Sequence, residues 1–317
     1  MPMSSTHGRG LYLPYGSIGL FGFGVFVLSV AVAILYLRGQ RKLWDEKSRR
    51  WPWWRTLSFL VGLGSIDAAL VWPISALTMR SFSAHAVQHV LVMVVGPMLL
   101  AAGAPTTLLL QGSSRRTKTV LLRILNSRTF RYVHFPPLVW LLYYGSMFVF
   151  FLTPLFGIIM DPKAMVRMDL VNVFFLAVAL LFWWPVIAVD PIPSWRLSPA
   201  ARAAALMLGV PLNTFLGLTL TQLTRPISSL YSLGSTRAGA DFLWGSGEIF
   251  SLLPLVFIYI DWIRDEDRKE RRGVLRAAGA SVSSVSSGQE DSGSQSRPLD
   301  RAWEESWKRY SGGIPSS

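Results

Sequence analysis

The chain contains no cysteine. That absence excludes disulfides, thiolate metal ligands and thioether attachment of haem. Charge is scarce too: 15% of the residues are Asp, Glu, Lys or Arg, against about a quarter in soluble domains. Histidine is rarer still, at four in 317 residues. No glycine-rich phosphate loop, aspartate-rich prenyl-diphosphate motif or Ser/His/Asp set occurs. Gly62-x-Gly64 and Gly245-x-Gly247 lie in apolar stretches, where glycine pairs serve close helix packing rather than phosphate binding.

Apolar residues are abundant. They make up 51% of the chain, and the mean hydropathy is +0.38, which describes an integral membrane protein. Thirteen Trp and nine Tyr suit the aromatic belts at membrane surfaces. With no thiol present, a soft-metal site would have to be built from His and Met, ligands that survive in an oxidising exterior.

Seven apolar stretches are long enough to predict spans, at about residues 17–37, 56–78, 83–105, 138–158, 169–189, 202–222 and 243–263. The expected fold is therefore an all-α bundle of seven transmembrane helices. The first stretch has no basic region before it and no persuasive cleavage site, so a retained helix is expected.

Orientation follows from the cations. Residues 38–55 hold seven Lys/Arg and residues 111–136 hold six. Arg196 and Arg202 follow, and a cluster from Arg264 to Arg272 closes the same side. The alternate segments hold one or two each: Arg9, Arg80, Lys163 with Arg167, and Arg225 with Arg237. The amino terminus is expected outside and the carboxyl terminus in the cytoplasm. The net charge of +13 then reflects anionic lipid at the inner leaflet, not nucleic acid. Two regions are expected, a membrane domain over 1–272 and a Ser-rich tail over 273–317 that cannot bury enough apolar surface to fold alone.

The third stretch, SAHAVQHVLVMVVGPMLLAAGAP, carries His85 and His89 four residues apart with Met93 one turn further. Such spacing places all three on one helix face. Imidazoles in hydrocarbon need partners, so this stripe either hydrogen-bonds neighbouring helices or holds a metal. At 1.5 Å per residue His89 lies ~9 Å below the outer boundary and Glu248, in the seventh stretch, ~8 Å. Met168 and Asn172 open the fifth stretch near the same surface, and Asp67 lies ~16 Å deep in the second. A shared site is one account of these depths, and pairwise interhelical contacts, such as Glu248 with His89, are the other. His134 is expected to be solvated or interfacial, and His7 disordered.

Four segments together resemble the cytochrome c oxidase assembly factor CtaG family: the third stretch with its GAP ending, FWWP at Phe182–Pro185, RPISSLY after the sixth stretch, and ADFLWGSGE opening the seventh. The resemblance covers roughly residues 15–265. It implies a polytopic protein of the bacterial plasma membrane, not an enzyme, that helps mature haem-copper oxidases by delivering copper. Its partners would be cytochrome c oxidase subunits and the lipid bilayer. On this expectation Cu(I) is held by His85, His89 and Met93 or Met168, and Glu248 orients His89. The chain departs from the family pattern where Leu152, Met168 and Asn172 stand in place of histidines. Two alternatives remain: a transporter or proton relay through Asp67, His89 and Glu248, or a metal-free assembly scaffold.

Overall fold

The computed structural model describes residues 19–48, 50–161, 165–190 and 197–288. The expectations for His7, Arg9, Lys163 and Arg196, and for the tail beyond Gly288, fall outside the described residues. Most of those described are helical, with no strand among them. Residues up to Tyr259 belong to one compact unit and those from Ile260 onward to a second.

Helix α1 (Leu20–Lys47) is apolar for most of its length and ends at Ser48, whose left-handed backbone (φ 49°) turns its N–H onto the Trp44 carbonyl. Helix α2 (Trp53–Leu70) starts directly after Pro52. It was expected to continue to Thr78 but stops at Leu70, because Pro73 has no N–H to extend the ladder and disfavours helix in the residue before it.

The central span is a composite. Helix α3 (Phe82–Val90) runs into a wider turn at Leu91–Val95, where the Gly96 N–H reaches back five residues to the Leu91 carbonyl. Helix α4 (Gly96–Ala102) follows, and α5 (Pro105–Gly112) continues after a left-handed Ala104. Together Phe82–Gly112 forms an apolar span whose most apolar window is 67% buried, whereas no other span exceeds 33%. The protein is therefore built around this segment. Gly62 of α2 lets the Leu100 backbone approach closely, and a side chain there would meet the amide at 2.9 Å.

Two short basic helices come next, α6 (Arg115–Leu125) and α7 (Arg128–Val133), each started by a serine, Ser114 or Ser127, that caps an amide of its first turn. Helix α8 (Pro136–Leu152) is interrupted at Thr153–Pro154 and resumes as α9 (Leu155–Ile159), so the expected fourth span is bent rather than continuous. Helices α10 (Met165–Ile187), α11 (Pro199–Thr221) and α12 (Leu233–Gly288) complete the described residues. Helical backbone in α12 extends past Gly273, where the Ser-rich stretch begins. In the second unit Lys269 pairs with Asp265 at 3.1 Å and Glu266 at 3.3 Å.

Among the described residues five helices are long and apolar enough to cross a membrane, and α8 is a shorter apolar helix. Helix α2 has 18 residues but carries Arg55 and Asp67.

Candidate functional site

Position along the central span is fixed at its start by α12. The Ser235 hydroxyl accepts the Phe82 amide at 2.9 Å and lies 3.1 Å from the Ser81 hydroxyl. Tyr231 donates to the Thr78 carbonyl at 2.6 Å. The first turn of α3 is thereby held on two sides, and His85 and His89 point into the core, 2% and 5% exposed.

The two imidazoles face each other with their Nε2 atoms 3.1 Å apart. Nitrogens so close share one hydrogen, so one ring donates while the other accepts. Both rings sit in a box of phenylalanines. Phe156 packs on His85 with ring centres 5.3 Å apart, Phe175 on His89 at 4.9 Å, and Phe151 on His89 at 5.0 Å. Phe82 and Phe150 close the remaining sides. Nδ1 of His85 is buried with no hydrogen-bond partner. A buried, unpaired lone pair or N–H is costly, and this one belongs to a group able to ligate.

One turn further, the Met93 side chain is 2% exposed. Its carbonyl would ordinarily accept from the amide four residues on, but that residue is Pro97. Tyr143 Oη from α8 and Trp183 Nε1 from α10 donate to it instead, at 3.0 and 2.8 Å. The same device occurs at the other proline. Ala69 loses its acceptance partner to Pro73, and Gln88 Nε2, adjacent to His89 on α3, fills the place at 3.0 Å. Beside His89 and Met93 lies a cavity of about 40 Å³, also lined by Tyr143, Tyr144, Met147 and Asn213. Such a volume admits a few water-sized groups.

The other expected site residues are distributed elsewhere. Glu248 Oε1 accepts from Thr214 Oγ1 at 2.8 Å and Trp244 Nε1 at 2.9 Å, and no hydrogen bond joins it to His89. Asp67 accepts from Ser29 of α1 at 2.8 Å. Asp67, His89 and Glu248 therefore have separate hydrogen-bond partners. Met168 is partly buried on α10, seven residues before Phe175, which is about 10 Å along the helix axis. Leu152 is exposed at the end of α8. Among the described residues no three His, Cys, Asp or Glu side chains gather as a metal-ligand set.

The GAP ending has its own anchor. Asp190, 5% exposed, accepts the amides of Thr106 and Thr107 at 3.0 and 2.7 Å and so caps α5. Arg202 reaches the carbonyls of Val186 and Ile187 beside it. Sequence reasoning named neither the phenylalanine box nor the two carbonyl donors. The run Phe148-Val149-Phe150-Phe151 was one available signal, and an orphaned carbonyl four residues before Pro73 and Pro97 was the other.

A family model described as cytochrome c oxidase caa3 assembly factor matches residues 34–265, which include all of this geometry except Ser29. The chain belongs to that family. The description of that family is of assembly factors for the caa3 cytochrome c oxidase. Its curated relatives include an uncharacterised protein of Mycobacterium bovis, 24% identical over 265 residues, covering 77% of this chain and 39% of that protein. An uncharacterised protein of Mycobacterium leprae is 25% identical over 271 residues, covering 78% and 39%. The chain thus spans about two fifths of the length of the curated relatives it matches. No solved structure matches it.

Proposed function

We propose that the His85–His89 pair is the working centre of this assembly factor, and that its cargo is copper passed to an apo-oxidase. The observation carrying the reading is the pair itself: two buried imidazole nitrogens 3.1 Å apart, walled by phenylalanine rings, with no carboxylate bonded to either. Neutral imidazole in a dry, uncharged pocket suits a soft monovalent ion such as Cu(I), while a hard divalent ion favours oxygen ligands. Binding replaces the hydrogen bond between the rings with metal–nitrogen bonds. Met93, on the same face, offers a thioether as a third ligand, and the cavity beside it leaves room for one to be exchanged. Ligand exchange, not bond chemistry, is the whole of the proposed action.

The accompanying topology has seven spans, five long helices together with α2 and the bent α8–α9 segment, with the amino terminus outside the bacterial plasma membrane. The two heavily basic segments, 38–55 and 111–136, support that orientation. It places the histidines in the outer half of the bilayer, where an oxidase copper site would be served. Residues beyond Gly273 are proposed to be dispensable for this action. Met168 and Glu248 join only through movements of their helices, so they are secondary to the pair.

The test is oxidase activity and membrane abundance measured together in a strain carrying His89→Ala, with and without added copper. The reading requires lower oxidase activity at normal abundance, partly restored by copper through mass action. Reduced abundance that copper leaves unchanged would make the histidines packing elements of a metal-free scaffold. The His85→Ala variant should be the milder, since His89 alone lines the cavity.

A further inference from the structure

Far along α1 from its Leu20 end lies a second, open pocket of about 500 Å³. Its walls are Gln40, Arg41, Trp44, Asp45, Arg50 and Trp51. Helix α1 supplies four of these, and the tight turn at Ser48 brings Arg50 and Trp51 back against them. The pocket therefore opens at the end of a membrane span, at the depth where lipid head groups lie.

The walls are built rather than accidental. Trp51 is fixed by donating its indole N–H to Tyr36 Oη at 2.8 Å, and Tyr36 in turn donates to the Gly103 carbonyl at 2.8 Å and stacks on Phe59. Gln40 is oriented by Thr56, whose hydroxyl donates to Oε1 at 3.1 Å, which leaves the amide NH2 as a donor. The Arg50 guanidinium sits over the Trp44 ring, 5.5 Å from its centre. Neither Arg41 nor Arg50 forms a hydrogen bond or ion pair among the described residues, and Asp45 is ion-paired to neither. Two free guanidiniums, one amide donor and two indole walls make a donor-rich, cationic recess with a single opposing carboxylate.

We propose that this recess binds the phosphodiester head group of an acidic phospholipid, with phosphatidylglycerol as the type ligand. Guanidinium forks match phosphate oxygens in a two-pronged geometry that ammonium groups do not offer. Trp44 and Trp51 pack along the glycerol and the first acyl carbons, as interfacial tryptophans do. A zwitterionic lipid brings its own cation to the recess and is disfavoured. The site is independent of the histidine pair, and it stands whether or not that pair carries copper.

The experiment is native mass spectrometry of the full chain released from nanodiscs of equal phosphatidylglycerol and phosphatidylcholine, scoring the lipid that remains bound. Wild type should retain one phosphatidylglycerol preferentially, and raising the salt during preparation should weaken that retention. Each single change, Arg41→Gln or Arg50→Gln, should weaken it about fivefold, and the double change about thirtyfold. Arg116→Gln/Arg123→Gln, on basic helix α6, should leave it unchanged. A parallel titration with inorganic phosphate distinguishes a lipid site from a phosphate site: tight phosphate binding lost in the double variant would overturn the lipid assignment. Equal retention of the two lipids, or retention unaffected in a double variant that still gives one monodisperse species with wild-type Tm, would also overturn it.

Discussion

Pro97 withholds from the Met93 carbonyl the amide that an α-helix supplies, and Tyr143 and Trp183 deliver two side-chain donors in its place, at 3.0 and 2.8 Å. One carbonyl thereby ties the histidine-bearing span to α8 and α10. Tyr143→Phe or Trp183→Phe alone should cost about 1 kcal/mol, because the other donor remains. The double variant should cost more than the two singles together, since the buried carbonyl is then unpaired. Denaturant unfolding in mixed micelles measures this, and strictly additive losses would show that the donors do not share one acceptor.

Gln88 plays the same part for Ala69, whose own partner is removed by Pro73. Gln88→Leu should destabilise the protein by about 1–2 kcal/mol through that unpaired carbonyl. In a Pro73→Ala background, where an amide is available again, the penalty should shrink. Thermal unfolding of the four variants closes the cycle, and an unchanged penalty would contradict it.

Two glycines two residues apart on α12, and so on opposite helix faces, should behave oppositely. A side chain at Gly247 would collide with the Asn213 amide, whereas Gly245 has nothing within 4 Å. Gly247→Ala should therefore cost about 1–3 kcal/mol by overpacking and push Asn213 into the cavity beside His89. Gly245→Ala should be neutral or mildly stabilising, since alanine is the better helix former. Equal effects of the two would remove the packing argument for Gly247.

His134, outside the spans, gives the measurable pH dependence. Burial pushes its ring below the ordinary imidazole value, and its hydrogen bond to the Phe130 carbonyl only partly opposes this. The unfolded chain therefore binds the proton more readily, so this stabilisation is complete above pH ~6.5 and is lost as pH falls below it. Tm measured from pH 7.5 to 5.5 should fall more steeply for wild type than for His134→Gln. Parallel slopes would contradict the burial argument.

Much of this fold was legible in composition because hydrocarbon permits little besides helices. The third stretch was readable as central from its two histidines alone, and the four-residue spacing does bring His85 and His89 into contact. Helix ends were less legible. Pro73 and Pro154 act locally, and a hydropathy window averages across them, so the second stretch reads longer than its helix and the fourth reads as unbroken. The phenylalanine box was hidden for another reason: Phe82, Phe150 and Phe175 are far apart in sequence, and no periodicity within one helix reports which neighbour its aromatic face meets. Depth along the membrane was also a weak guide to partnership. Glu248 and His89 have similar calculated depths, yet Glu248 bonds Thr214 and Trp244, because rotation about the helix axis decides which neighbour a side chain reaches.

The most direct test of the central claim is an anaerobic Cu(I) titration of the purified full chain against a calibrated competing chelator, read alongside X-ray absorption at the copper edge. The account predicts one tightly held Cu(I) per chain with imidazole nitrogen in its first coordination shell, and loss of that binding in His85→Ala/His89→Ala at unchanged Tm. Failure of wild type to compete for Cu(I), or equal uptake by the double variant, would contradict it.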